Sequence, residues 1–391
     1  MVDITKRHGQ RIEEPSLQSK LSIDPEGTSD TLPFFLHSLE ALSRCISFDD
    51  KTKKALEEVS GFHRVRVPLF YLNLMDRDNP SCPVRHQAVP SVLEMKENGQ
   101  EDPLAENAFS ITPALIKRHQ NRAVFLATSQ CAMYCRFCNR KRLVGRGWKP
   151  EIYREESLQR IEEDPDIREI IISGGDPFML PSHEMSAILS RLRNMAHIET
   201  VRISTRMPVV FPAGITEAHL REIKRHAPLW IVIHINHPRE ISPEFLEVIK
   251  GIRESGNMLI SQTVLLRNIN DCPHVLSKLF HTLIAAGIKP YYLFQLDEAQ
   301  GVSHFKVRLE RGIEIMRILR KNASGLAMPQ YALDIPGGLG KVPLDYVYVK
   351  KRNRKNVHVE SPTGAAGLYF NDGKKSLCMN CGICESEDND Q

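Results

Sequence analysis

Six of the nine cysteines fall into two tight groups. Cys131, Cys135 and Cys138 lie in CAMYCRFC, a C-x3-C-x2-C spacing, and Cys378, Cys381 and Cys384 follow C-x2-C-x2-C near the end of the chain. Three thiolates on one short loop suit an iron–sulfur cluster or zinc, because soft sulfur ligands select both. A closed zinc site takes four ligands, usually as two pairs, and no second pair accompanies the first group. Phe137, just before the last cysteine, favours the iron–sulfur reading. Three ligands on a four-iron cluster leave one iron open, and an open iron can chelate an amino and a carboxylate group. Cys45 and Cys82 stand alone and read as small buried apolar side chains.

Other reactive types recur at the ends of apolar runs. They include Gly174-Gly175-Asp176-Pro177, Arg206, His234-Ile235-Asn236-His237, Gln262 and Gln295-Leu296-Asp297. Residues 334–341 read Asp-Ile-Pro-Gly-Gly-Leu-Gly-Lys. This is no P-loop, because the spacing differs and no Ser or Thr follows the lysine. A buried lysine there would have a lowered pKa and a nucleophilic free amine.

The elements that must position these groups show in the hydrophobic pattern. Apolar, β-branched runs at 123–128, 169–173, 200–205, 229–235, 258–266 and 289–296 alternate with amphipathic stretches such as 183–195, 243–254 and 275–286. Continuous apolar runs predict strands buried on both faces, and alternation with helices predicts a parallel sheet. Six right-handed units predict an α/β fold, a partial (β/α)6 barrel of the TIM type, with chemistry at the C-terminal strand ends. Residues 33–59 predict a helix from Phe35, Leu36, Leu39, Leu42 and Ile46. Residues 76–106 predict loops with one short helix. The expected divisions are a poorly ordered 1–30, a helical and loop region 31–115, the barrel 116–345 and a metal-binding tail 346–391. In the tail, 346–350 predicts a strand and the following basic run KKRNRK a solvated loop.

Composition excludes other classes. Lys+Arg exceed Asp+Glu by 52 − 48 = 4 over 391 residues, too weak and too dispersed for a nucleic-acid footprint. No apolar run approaches the roughly 18 residues of a membrane span, and the polar start MVDITKRHGQRIEEPS has no apolar h-region, so a cytoplasmic chain is expected.

CAMYCRFCNRKR, ISGGDPFML, IHINHPREI, QTVLLRNINDCP and YALDIPGGLGKVPL, in this order, resemble the lysine 2,3-aminomutase branch of the radical SAM enzymes over roughly residues 65–350. The resemblance implies a [4Fe–4S] cluster on Cys131, Cys135 and Cys138. It implies S-adenosylmethionine beside the backbone of Gly174, Gly175 and Asp176 and near His234, Asn236 and Gln262. Lys341 becomes the lysine that carries pyridoxal 5′-phosphate, and Arg122 the arginine that meets its phosphate. The family has PGGGGK where this chain has PGGLGK, so Leu339 departs from the pattern. Arg140 matches the arginine that pairs bidentately with a substrate carboxylate. Asp297 and Asp334 match the aspartates that hold the distal ammonium of lysine.

The implied activity is an amino-acid 2,3-aminomutase, first of all L-lysine to L-β-lysine. Arginine or a protein-bound lysine is the alternative substrate, and a non-catalytic metal-binding regulator the remote alternative. A one-electron reductant of flavodoxin or ferredoxin type is implied as partner. In the family, three tail cysteines bind zinc together with a cysteine matching Cys272 from a neighbouring subunit. Cys378, Cys381, Cys384 and Cys272 are therefore expected to form a zinc clasp of a homo-oligomer. A second iron–sulfur cluster or free thiols remain open, because the tail spacing differs slightly from the family form. The tryptophan-rich opening of the family is missing.

Overall fold

A computed structural model describes residues 34–48, 50–62, 64–95, 99–352 and 356–370. The expectations for 1–30 and for Cys378, Cys381 and Cys384 lie outside the described residues. Two compact units divide between Leu344 and Asp345.

The first unit opens with β1 (Phe35–Leu36), α1 (Leu39–Ser43), α2 (Asp50–Phe62), β2 (Val67–Pro68), α3 (Leu69–Asn73) and α4 (Pro83–His86). The expected single helix over 33–59 is not formed. Phe35 and Leu36 pair with Pro68 and Val67 as a short antiparallel bridge, and the chain leaves the helix after Ser43. Leu36, Leu39, Leu42 and Ile46 are all buried. Their spacing therefore reported burial, shared between a strand, a helix and a turn, and not one continuous helix.

Next come β3 (Ser110–Thr112), β4 (Leu115–His119), β5 (Arg122–Thr128), α5 (Arg154–Glu162), β6 (Glu169–Gly174), α6 (Ser182–Arg193), β7 (Thr200–Thr205), α7 (Met207–Val210), α8 (Glu217–Arg225), β8 (Trp230–His234), α9 (Pro243–Glu254), β9 (Met258–Leu265), α10 (Pro273–Ala285), β10 (Lys289–Gln295), α11 (Leu309–Asn322), β11 (Gln330–Ile335) and β12 (Gly340–Pro343). Strands β3 to β12 form one sheet in sequence order. The six expected strands β5 to β10 are parallel neighbours. A seventh parallel strand, β11, follows β10, and antiparallel β12 and β4 flank the parallel set. The two outermost strands do not pair with each other, so the barrel is partial.

Local sequence explains the helices. In α9, Ser242 caps the N-terminus by accepting from Phe245 N, Pro243 takes the first turn, and Arg253 sits in the last turn against the dipole. In α10, Leu276, Leu279, Phe280 and Leu283 recur at helical spacing and are the buried residues. No helix among the described residues is long and apolar enough to cross a membrane.

The described part of the second unit is an antiparallel sheet of β13 (Val349–Arg352), β14 (Asn356–Glu360) and β15 (Ala366–Phe370). The basic run expected in a loop starts inside β13, where Lys350, Lys351 and Arg352 are exposed. A strand with solvated faces takes long cationic side chains as readily as a loop does.

Candidate active site

The inner face of the sheet, from Arg122 at the start of β5 to the C-terminal strand ends and β12, surrounds a cavity of about 410 Å³. Its lining brings together Arg122, Cys131, Cys135, Cys138, Arg140, Gly174, Gly175, Asp176, His234, Gln262, Asp297, Asp334 and Lys341. Asn236 is not in the lining. It is fully buried and its side chain is shared between Gln87 Oε1 at 3.0 Å and Val264 N at 2.9 Å. Cys272 also lies outside the lining, as the residue before α10. Among the described residues no three His, Cys, Asp or Glu side chains gather as ligands of one metal ion.

The cysteine loop after β5 is pinned at alternate residues. Tyr134 N donates to Arg66 O and Arg136 N to Gln87 O. Arg136 is 1% exposed and makes a forked ion pair to Glu94 at 2.8 and 2.6 Å. These anchors leave the three cysteines on the cavity side. Arg206 Nη1 donates to Cys135 Sγ at 2.8 Å and Arg140 N to Cys138 Sγ at 3.4 Å. Burial pushes the Cys138 thiol up to about 11 and the Cys131 thiol well above its usual range. What fits the group is the donor set: three thiols of one short loop line the same cavity, and cationic iron binds such thiols as thiolates and releases their protons.

The glycines after β6 are fixed by this loop. Gly174 has φ +110°, and a Cβ there would stand 2.4 Å from Thr128 O; at Gly175 it would stand 2.1 Å from Gln130 O. Gly175 N and Asp176 N donate to those same two carbonyls at 2.6 and 2.7 Å. Two of the loop's amides are thus spent, and what it can offer an amino group is carbonyl oxygen. The Asp176 carboxylate accepts from Thr205 Oγ1 and Arg206 N, both at 2.7 Å, and from Phe178 N. It ties β6 to β7. His234 Nε2 is buried without a hydrogen-bond partner. Burial first, and Arg206 second, hold the imidazole down to about 3, so it is neutral. An orphaned ring nitrogen on a residue lining the same cavity as the glycines fits a polar cofactor.

Lys341 is placed by strand register. The β11–β12 hairpin sets Asp334 opposite Lys341, and Lys341 Nζ lies 2.5 Å from Asp334 Oδ2. Burial lowers the lysine pKa, against the pull of Asp334. Its ammonium stands 4.0 Å from the Phe294 ring centroid. Gly337, Gly338 and Gly340 all have positive φ. Leu339 has φ −72° and is 77% exposed, so the departure at this position falls where no glycine is required.

Two substrate-binding expectations take a different form. The bidentate fork of Arg140 is occupied by Glu106, with Nε and Nη2 at 2.9 and 2.7 Å from Oε1, while Nη1 donates to Ser173 Oγ at 2.9 Å. Burial opposes ionisation of Glu106, but Arg140 and Arg142 hold it down to about 2. Asp334 is already paired, to Arg118 at 3.1 Å and to Lys341. Asp297 receives only a neutral donor among its hydrogen bonds, Asn139 Nδ2 at 2.7 Å. Burial and then Asp334 push it up to about 6. Glu106 and Arg118 carried no sequence signal, since single polar residues in loops and strand ends look like any surface position; Asn139 stands inside the CAMYCRFCNRKR motif, where the cysteines drew the reading.

The fold and the cysteine-lined cavity define a radical SAM enzyme. Residues 125–275 match the model of the radical SAM superfamily. Over 358 residues, 90% of this chain and 86% of the relative, the sequence is 34% identical to the L-lysine 2,3-aminomutase of Acetoanaerobium sticklandii. It is 36% identical to that of Bacillus subtilis, covering 85% of this chain and 72% of the relative. It is 32% identical to the glutamate 2,3-aminomutase of Clostridioides difficile, covering 82% and 79%. The chain belongs to the lysine 2,3-aminomutase family and is an isomerase.

Proposed function

We propose that the protein moves the α-amino group of an amino acid from C2 to C3, and that L-lysine is its substrate. The observation that carries the substrate is Asp297: a half-buried carboxylate on the cavity wall whose side-chain hydrogen bond comes from a neutral amide, Asn139 Nδ2. With Asp334 already paired to Arg118 and Lys341, Asp297 is the carboxylate left to meet a cationic side chain, and it repels the side-chain carboxylate of glutamate.

The residues present fit the three cofactors. Cys131, Cys135 and Cys138 would hold the [4Fe–4S] cluster. The carbonyls of the Gly174–Gly175 loop, His234 and Gln262 would hold S-adenosylmethionine. Lys341 and Arg122 would hold pyridoxal 5′-phosphate. Cluster and S-adenosylmethionine supply a 5′-deoxyadenosyl radical, and pyridoxal phosphate supplies a conjugated system for the migrating nitrogen. Arg140, with its fork on Glu106 and one Nη1 hydrogen on Ser173, has two N–H groups left on Nη1 and Nη2 to orient the substrate carboxylate. Asp297 takes the distal ammonium, and the aromatic wall of Tyr292 and Phe294 keeps water from the reacting centre.

Zinc on Cys272, Cys378, Cys381 and Cys384, a zinc-linked homo-oligomer, and a flavodoxin- or ferredoxin-type reductant belong to the same proposal. The test is an anaerobic assay with dithionite, both organic cofactors and L-lysine, L-arginine or L-glutamate offered separately. β-Lysine as the product is the expected result. β-Arginine or β-glutamate instead would reassign Asp297, and deoxyadenosine without any β-amino acid would point to a protein-bound lysine.

A further inference from the structure

Arg206, at the end of β7, belongs to none of the cofactor or substrate contacts above except one. Its Nη1 donates to Cys135 Sγ at 2.8 Å. Its Nη2 donates to Glu240 Oε1 at 2.7 Å, to Gln87 Oε1 at 2.7 Å and to Tyr71 Oη at 3.3 Å. Glu240 is equally fixed. Oε1 also accepts from Tyr71 Oη at 2.7 Å, and Oε2 accepts from Asn236 N and His237 N at 2.8 Å each. Tyr71, Gln87 and Glu240 are each 0% exposed, and Arg206 is 7% exposed.

Burying a guanidinium and a carboxylate is costly unless their bonds are made; here Nη1 and Nη2 of Arg206 are bonded and Nε is left without a hydrogen-bond partner. This pair is held from three sides, by the α3–α4 region, by the end of β7 and by the loop after β8. An ordinary structural ion pair would spend both guanidinium nitrogens on oxygen acceptors. Here one whole nitrogen is delivered to a sulfur. The fork geometry permits this: Glu240 holds Nη2, and the rigid plane then presents Nη1 to Cys135.

We propose that Arg206 is a positioning residue that sets the reduction potential of the cluster through a charge-assisted hydrogen bond to the Cys135 thiolate, with Glu240 as the buried counter-charge that limits its strength. The inference rests on the iron–sulfur reading of the three cysteines. One electron added to the cluster makes its sulfurs more electron-rich. A cationic donor at one of them stabilises the reduced state and makes reduction easier. No bond forms or breaks in this step; the electron comes from the external reductant.

Two substitutions should therefore shift the potential in opposite directions, which a purely structural role would not produce. Full-length protein is reconstituted anaerobically. Iron and sulfide are counted, and the one-electron couple is titrated by electron paramagnetic resonance without S-adenosylmethionine. Arg206→Gln should lower the midpoint by about 59 mV, a tenfold change in the reduced-to-oxidised ratio for one electron. Glu240→Gln, which frees Arg206 from its counter-charge, should raise it.

A fully loaded Arg206→Gln protein titrating at the wild-type midpoint overturns the proposal. Should Arg206→Gln fail to hold iron, Arg206→Lys carries the test. It keeps the buried cation but cannot serve Glu240 and Cys135 together, so its midpoint should fall, and an unchanged value overturns the proposal. A Glu240→Gln midpoint that is unchanged or lower also overturns it. Wild-type protein that takes up no cluster would instead overturn the iron–sulfur reading on which the inference rests.

Discussion

Under the proposed reading, Asp297 and Glu106 divide substrate binding between a specific and a general contact. Asp297 binds an ammonium only when ionised, and its pKa is raised to about 6. For lysine, kcat/KM should therefore fall as pH drops through about 6, approaching tenfold per unit. Asp297→Asn should remove that limb and raise KM for lysine about 10- to 100-fold, the worth of a hydrogen bond to a charge. The same change should stabilise the substrate-free protein. An acid whose pKa is higher folded than unfolded holds more protons when folded, so its ionisation costs stability above pH 6 and nothing below about pH 4. Thermal melts should show Asp297→Asn more stable at pH 7.5, on the order of 2 kcal/mol, with the gain vanishing toward pH 4. A wild-type melt that gains nothing from the substitution would place Asp297 in a wetter environment. Glu106→Gln loosens Arg140, which would meet every substrate's carboxylate, so KM should rise for lysine and for any other accepted amino acid alike. A rise confined to lysine would remove Arg140 from the carboxylate role. Sequence motifs reached Asp297 and Arg140 but not Glu106. A counter-ion supplied from 34 residues upstream leaves no local spacing to read.

At the scale of elements, the β11–β12 hairpin decides where Lys341 stands. A Cβ at Gly338 would lie 2.5 Å from the Phe109 ring and 2.7 Å from Leu104 O, at φ +76°. Gly338→Ala should cost about 1–3 kcal/mol and displace Lys341, read as lost pyridoxal absorbance in the reconstituted protein. Leu339→Gly, at an exposed position with negative φ, should cost no more than about 1 kcal/mol and leave the absorbance intact. Equal loss in both variants would show that the hairpin tolerates no change at all. The parallel strands were legible because burial on both faces writes an unbroken apolar run. β11 was not, because QYALDI runs directly into the glycine motif and its polar end faces the cavity. The N-terminal helix was over-extended because a strand, a helix and a turn buried their apolar side chains at spacings that imitate one helix.

At the scale of the whole molecule, every described residue lining the cavity, from Leu104 to Lys341, lies in the first unit. That unit's last residue is tied down, since Leu344 N donates to Tyr331 O at 2.8 Å and its side chain packs on the core. A chain ending at Leu344 should therefore keep β12 in register and Lys341 against Asp334. It should take up its iron–sulfur cluster, bind pyridoxal phosphate and cleave S-adenosylmethionine at a rate comparable to the full chain. It should also contain no zinc and run as a smaller species in light scattering, because Cys378, Cys381 and Cys384 are gone. The two outcomes are independent. Loss of the cluster on truncation would mean that the first unit does not hold the cluster by itself. An unchanged mass with the cluster retained would place the subunit contact in the first unit and leave the tail cysteines without an assembling role.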